Sequence, residues 1–270
     1  MSALSSNDTM VVRGVPMRRD SAREACFTVV HDATEMRLSN DSSELSRREL
    51  LHRDVNNETQ SLEISAQSLV DFPDAPWELR LHLARQCWDE ARHARLFYRR
   101  FVEMGGFKGE FPIANHEWSV VCMLDSLPAR FAIQNRTFEA GSLDALRKGI
   151  DTFRVIGDER MADIMETVLA DEILHVRFAN SWIKRMVQED PRAALKIAAA
   201  MAYLRRVNAA LSPQPGEVDI EGRDYGSVDH SVRTNTQDRA YADFTDDEIG
   251  ELRRNENWEP SAAATADREQ

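Results

Sequence analysis

Two short motifs carry most of the chemistry this sequence offers. Asp89-Glu90-Ala91-Arg92-His93 and Asp171-Glu172-Ile173-Leu174-His175 are both Asp-Glu-x-x-His. Residues three apart on a helix share a face, so each motif aims a carboxylate and an imidazole the same way. A Glu and a His pointing inward from each of two helices, completed by one Glu from each of two others, is how helix bundles hold a pair of metal ions. Candidates for the completing pair are present. Glu58 precedes Glu90 by almost the same length of chain as Glu139 precedes Glu172, so the pattern E…DExxH occurs twice at nearly equal spacing. The six candidate ligands are Glu58, Glu90, His93, Glu139, Glu172 and His175.

The spacing can be tested as heights in a hairpin. The stretch from Glu58 down to a turn at Asp71 equals the stretch from Trp77 back up to Glu90. At the helical rise per residue both carboxylates lie about 20 Å from the turn. Glu63 would sit about 8 Å lower and about 140° around the helix. It is expected beside the site, as an outer neighbour or a pocket wall, and the choice of Glu58 over Glu63 depends on where the helix ends fall. The other hairpin is less even, because the stretch from Glu139 to Gly157 exceeds that from Asp158 to Glu172 by about one helical turn. A kink at Gly141 or an earlier turn is expected to absorb the difference. A third Glu-x-x-His, Glu49 to His52, has Arg48 in place of Asp and Met17 at the upstream Glu position. It is assigned to helix surface.

A ligating histidine usually donates its other ring N–H to a carboxylate or carbonyl. Asp89 is therefore expected to orient His175, and Asp171 to orient His93, across the bundle. Four carboxylates facing one another in an apolar core need cations, and two divalent ions would balance them. Oxygen-rich donors with one imidazole per ion suit iron or manganese better than structural zinc. Two Fe ions are expected, with Fe/Mn and Mn/Mn pairs left open and O2 as co-substrate.

These residues need four long helices to carry them, and the sequence supplies the signals. Eleven Gly and nine Pro leave little room for the turns of an all-β fold. The first helix is expected from an N-cap at Ser46, with Glu49 three residues on, to about Val70, where Pro73 and Pro76 stop it. The second runs from about Trp77 to Met104 and ends at Gly105-Gly106. A third helical region starts near Trp118, with Pro128 and Gly141 as kink points, and a fourth covers about Glu159 to Val187. Pro191 opens a further helix to about Leu211, and a short one lies near Asp246 to Arg254. The fold class is all-α: an arm at 1–44 with a β-like stretch at Cys26 to Val30, a four-helix bundle at 45–190, an extension packed on it at 191–257, and a disordered tail at 258–270.

The formal net charge of -12 counts against a nucleic-acid partner, which needs a basic face. No apolar run reaches membrane-spanning length and the first residues lack a secretory signal. Cys26, Cys87 and Cys122 are odd in number and widely spaced, as in reduced thiols of a cytoplasmic protein packed as small hydrophobes. Trp77, Trp88 and Trp182 are assigned to packing, and Arg92, Arg95, Arg99 and Arg100 to a solvated face. Leu62, Phe97, Ala132 and Phe138 lie within a turn of ligands and could line a pocket.

The segments SELSRRELLHRDVNNETQSLEISAQSLVDFPDAPWE, WDEARHARLFYRRFVEMGGFKGEFP, NRTFEAGSLDAL and LADEILHVRFANSWIK resemble a bacterial ferritin-like family catalogued as a domain of unknown function, number four-five-five. The likeness covers about Arg19 to Leu211. That family is similar to tRNA-hydroxylating di-iron enzymes and, more distantly, to rubrerythrin-like proteins. The resemblance implies a ferritin-like fold and the six ligands, but no substrate. Asn56 departs from it, where relatives often carry His. The expected activity is a di-iron, O2-dependent oxygenase or hydroxylase acting on a small organic molecule. An electron donor and a homodimeric partner are compatible with it. A ferroxidase or iron-handling protein is the alternative, with a tRNA-modifying hydroxylase and a structural protein bearing a vestigial site behind it.

Overall fold

The structure, a computed structural model, describes residues 6–37, 43–225 and 232–256. The tail expected at 258–270 lies outside the described residues. Helix α1 (Glu44–Asp71) starts where the Ser43 side chain accepts the backbone N–H of Ser46. It therefore begins before the expected cap. Ser46 is instead a buried residue inside the helix, where its hydroxyl accepts from Arg37. Pro73 and Pro76 enforce the break before α2 (Trp77–Glu103). Gly105 ends α2 at a φ of +83°, a left-handed position that favours glycine.

The third helical region is not one kinked rod. It consists of α3 (His116–Val121), α4 (Leu127–Ile133), a π-helical segment Gln134–Glu139, and α5 (Ala140–Val155). Pro128 occupies the first turn of α4, where its missing N–H costs nothing. Gly141 lies within α5, so the irregularity precedes Glu139 rather than following it. Asp158 caps α6 (Glu159–Glu189) by accepting from Met161 N, and α7 (Arg192–Leu211) follows Pro191.

Helices α1 and α2 form one long hairpin, α5 and α6 a second, and α2 packs on α6 to join them. Leu51, Phe97, Leu143, Ile150, Met161 and Val168 fill the space between the hairpins. Helix α7 lies against α4, and Tyr203 of α7 donates to the Pro16 carbonyl of the arm at 2.9 Å. That arm holds an antiparallel hairpin of β1 (Thr9–Val12) and β2 (Val15–Arg18). Its turn residues Arg13 and Gly14 both have positive φ, 43° and 80°, the geometry that matches strand twist in two-residue loops. The Cys26 to Val30 stretch is not a strand; Val29 makes a single bridge to Ile113. Two short C-terminal helices, α8 (Thr236–Tyr241) and α9 (Asp246–Glu256), complete the described chain. The first of these has no counterpart in the expected elements; it is pinned to α5 by Arg239 on Asp144 at 2.6 Å.

Among the described residues no helix is long and apolar enough to cross a membrane. Trp77 and Trp88 are each 69% exposed, so only Trp182 of the three is a packing residue. Cys26 is exposed too, while Cys87 is half-buried and Cys122 buried, all as free thiols.

Candidate metal centre

All six candidate ligands converge in the middle of the bundle. Glu58, Glu90, His93 and Glu172 form one group whose donor atoms all lie within 4.8 Å of one another, and Glu90, Glu139 and His175 form a second. Either group could hold a metal ion, and Glu90 belongs to both. Its carboxylate is fully buried, with Oε2 3.2 Å from His93 Nδ1 and Oε1 3.4 Å from His175 Nδ1. Glu172 belongs to the first group only, and its Oε1 lies 3.5 Å from His93 Nδ1 and 3.8 Å from His175 Nδ1. Glu58 completes the first group at 3.2 Å from His93 Nδ1. The equal heights of Glu58 and Glu90 follow from where the helices end, at Asp71 and Trp77.

Both imidazoles present Nδ1 to the cluster and turn Nε2 outward to an aspartate of the facing helix. His93 Nε2 lies 3.1 Å from Asp171 Oδ2, and His175 Nε2 lies 3.3 Å from Asp89 Oδ2. Each aspartate is in turn held by arginine: Arg85 Nε donates to Asp89 at 3.0 Å, and Arg92 donates to Asp171. Arg92 is thus part of the site and not a member of a solvated face. Arg100 is also engaged, by Asp158 at 2.7 Å.

Glu139 is held by amides. Asn135 Nδ2 donates to it at 2.7 Å and Gln134 Nε2 at 3.3 Å, and Gln86 Nε2 donates to it while reaching Glu90 at 3.1 Å. Gln134 and Glu139 are five residues apart, which an α-helix would place on different faces. The π-helical turn, with its i to i+5 periodicity, stacks them, and such turns recur at functional sites. Sequence reasoning missed Gln86, Gln134 and Asn135. Gln86 was within reach, one turn before Glu90 on the same face; the other two required the π turn to be known.

The electrostatics fit a cation site. Glu172 Oε2 and His175 Nδ1 are buried without any hydrogen bond, an arrangement that costs free energy unless something fills the gap between them. Burial, reinforced by neighbouring Glu172 and Glu90, pushes the Glu139 carboxyl well above the usual range, and burial does the same to Glu58. Burial also opposes charge on Glu172, but the neighbouring His175 and His93 imidazoles outweigh it and hold that carboxyl at about 2. Despite burial, Asp171, Glu172, Glu58 and Glu90 raise His93, and Glu90 and Asp89 raise His175. Without a cation this cluster favours taking up protons, so metal binding there would be coupled to proton release.

A cavity of about 290 Å³ opens beside the cluster, touching Glu58, Glu139 and Glu172. Of the four apolar residues that could line a pocket there, Phe97 does so. Phe138 packs instead with the α3 and α7 core and Ala132 with the α2 and α6 core, while Leu62 faces neither. Two carboxyls not singled out from the sequence also line the cavity: Asp54, which burial pushes up to about 7, and Glu117, which burial pushes up to about 8. Asp54 is one turn before Glu58 and was legible as such; Glu117 comes from the short α3, whose position no spacing reveals.

Several polar residues lie outside the cluster. Glu63 faces away from the cluster and pairs with Arg23 at 2.7 Å and Ser21 at 2.7 Å, tying the arm to α1 beside a second cavity. Tyr98 lines that second cavity, as does Asn56, whose amide donates to the Ala114 carbonyl. His82 accepts from Trp182 Nε1 at 3.0 Å and His116 packs on Phe138, so neither histidine belongs to the cluster. The Glu49 and His52 pair is not helix surface: the two residues are 1% and 4% exposed. His52 is walled in by Phe27, Phe101 and Phe111.

A family model described as "Protein of unknown function (DUF455)" matches residues 3–249. No curated protein and no solved structure matches the chain.

Proposed function

The chain belongs to the DUF455 family, proteins of unknown function, and from that premise we propose that it is a di-iron, O2-dependent oxidoreductase that hydroxylates or otherwise oxidises a small organic molecule. The observation that carries this reading is the sharing of Glu90 between two donor groups, which would seat two ions side by side. Glu58 and His93 would hold one ion, Glu139 and His175 the other, and Glu90 and Glu172 would lie between them. One imidazole per ion among carboxylates favours iron or manganese over structural zinc. A reduced iron pair supplies the electrons with which O2 is activated.

The chain's own residues do the rest. Asp89 and Asp171 keep Nε2 of each imidazole protonated, which leaves Nδ1 free to bind metal. Gln86, Gln134 and Asn135 fix the orientation of Glu139 before any ion arrives. Phe97, Leu146 and Met165 give the adjoining cavity apolar walls that limit water near the ligands.

The test is anaerobic loading with Fe(II), a metal count, and exposure to O2 under optical monitoring. Two irons per chain and a near-ultraviolet absorption that grows with O2, both lost in Glu90→Ala, are expected. Fewer than one iron per chain, unchanged in Glu90→Ala, would sink the reading. The acidic lining of the cavity favours a second reading, a ferroxidase with Fe(II) itself as substrate. Sustained oxidation of excess Fe(II) without an organic co-substrate would establish it in place of the first.

A further inference from the structure

The cavity beside the cluster carries more carboxyls than metal ligands require. It runs between α1 and α5, with Leu50, Asp54 and Glu58 on one wall and Ala145, Leu146 and Gly149 on the other. If Glu58, Glu90, Glu139 and Glu172 are balanced by two divalent ions, Asp54 and Glu117 remain as surplus carboxyls. One cation stands among the lining residues, Arg53, and it is already turned to Glu49 at 3.5 Å. Asp54 has no hydrogen-bond partner among the described residues and sits one helical turn, about 6 Å, along α1 from Glu58.

Asp54 and Glu117, which burial pushes up to about 7 and about 8, ionise more readily beside a bound cation, whereas an anion would have to hold both protonated, so the lining favours cations. A hydrated metal ion would match the charge, yet its water shell gains nothing from Phe97, Leu146 and Met165 on the same walls. A molecule with one cationic end and an apolar body uses both halves of the lining. We infer that the cavity selects a small organic cation, a protonated amine on a short apolar chain, whose ammonium group is recognised by Asp54 with Glu117 as the second carboxyl. The volume of about 290 Å³ suits a compound of that size. This inference names the substrate class of the proposed oxidoreductase and rests on that reading for its charge balance.

Binding of n-butylammonium, butyrate and n-butanol to the metal-loaded protein, measured by calorimetry, tests it. The metal content of each sample is counted separately. Butylammonium is expected to bind about tenfold or more tightly than either of the others, as a charge-assisted contact requires. Asp54→Asn should remove most of that preference, Glu117→Gln part of it, and Asp54→Glu should restore it, with the metal count unchanged throughout. Equal affinity for the three probes, no binding of any, or an undiminished ammonium preference in Asp54→Asn each overturns the inference. A wild-type protein that holds fewer than one metal would instead overturn the metal-centre reading. The ammonium preference would then be judged by the binding data alone.

Discussion

Helices α1 and α2 each carry a buried Glu-x-x-His, and the two copies have opposite electrostatic fates. His93 and His52 are both almost wholly buried, at 0% and 4% exposure. Burial disfavours a charged imidazole in each case. Around His93 that cost is overridden by Asp171, Glu172, Glu58 and Glu90, and the ring is raised far above its ordinary value. Around His52 the neighbours are phenyl rings 5.4 to 5.8 Å away, and burial lowers it. His52 Nε2 accepts from the Gly109 N–H at 3.2 Å, which leaves Nδ1 to carry a proton with no partner. That approach needs glycine, because a Cβ at Gly109 would lie 2.0 Å from the Cys26 carbonyl oxygen. Glu49 has no carboxylate cluster to join and turns to Arg53. A motif sets which way two side chains point, but the facing helices decide whether they join a carboxylate cluster or the core.

The largest effect should come from truncating both rings. His93→Ala should lower the metal content by at least one equivalent per chain, because it removes the sole imidazole of one donor group. His52→Ala should leave the metal count at the wild-type value but cost about 2–4 kcal/mol of folding stability through the hole left among three phenyl rings. Elemental analysis and denaturant melts read the two outcomes, and metal loss in His52→Ala would erase the distinction.

A smaller change probes what would make His93, unlike His52, usable as a ligand. Asp171→Asn keeps the shape but cannot hold the imidazolium or the Nε2–H as firmly, and metal affinity should drop about 10–100-fold. Asn in place of Asp171 should also release Arg92, which that carboxylate holds. Competition with a chelator of known affinity measures the drop; an unchanged affinity would assign Asp171 to Arg92 alone.

The mildest effect concerns pH. Asp54 and Glu117 are raised to about 7 and about 8 by burial, so each favours the folded state while protonated and withdraws that contribution as pH rises through its folded value. The metal-free protein should therefore melt several degrees lower at pH 9 than at pH 6, and the metal-loaded protein should lose less, since bound cations ease ionisation nearby. Asp89, held at about 2 by bonds from His175 and Arg85 that outweigh its burial, works in the other direction and matters only in strong acid. A metal-free protein that melts higher at pH 9 than at pH 6 would reverse the sign and contradict the burial of these carboxyls.

Most of the Glu and His cluster was legible because hairpin geometry converts sequence distance into height. The positions of Pro73, Pro76 and Gly105 bound α2, and the i, i+3 pairs then followed from helical periodicity alone. Asp89 and Asp171 were legible for a related reason, since each precedes a Glu of the cluster and so flanks the face that carries it. The π turn before Glu139 was not legible, because nothing in QNRTFE distinguishes it from ordinary helix. Its cause is tertiary: Glu139 must meet both Gln134 and Asn135 while Gln86 approaches from α2.

The same limit explains the misplaced residues. Trp77 and Trp88 have apolar side chains, but burial depends on whether another element covers that side of α2, and among the described residues none does. Glu49 and His52 look polar enough for a surface, yet the arm carrying Phe27 and the loop carrying Gly109 and Phe111 fold over them. Local periodicity was enough to make this chain helical and to put a Glu and a His on one face more than once. Packing between distant segments settled which buried Glu-x-x-His meets carboxylates and which meets phenyl rings. No local pattern encodes that outcome, because it depends on residues far apart in the chain arriving at the same place.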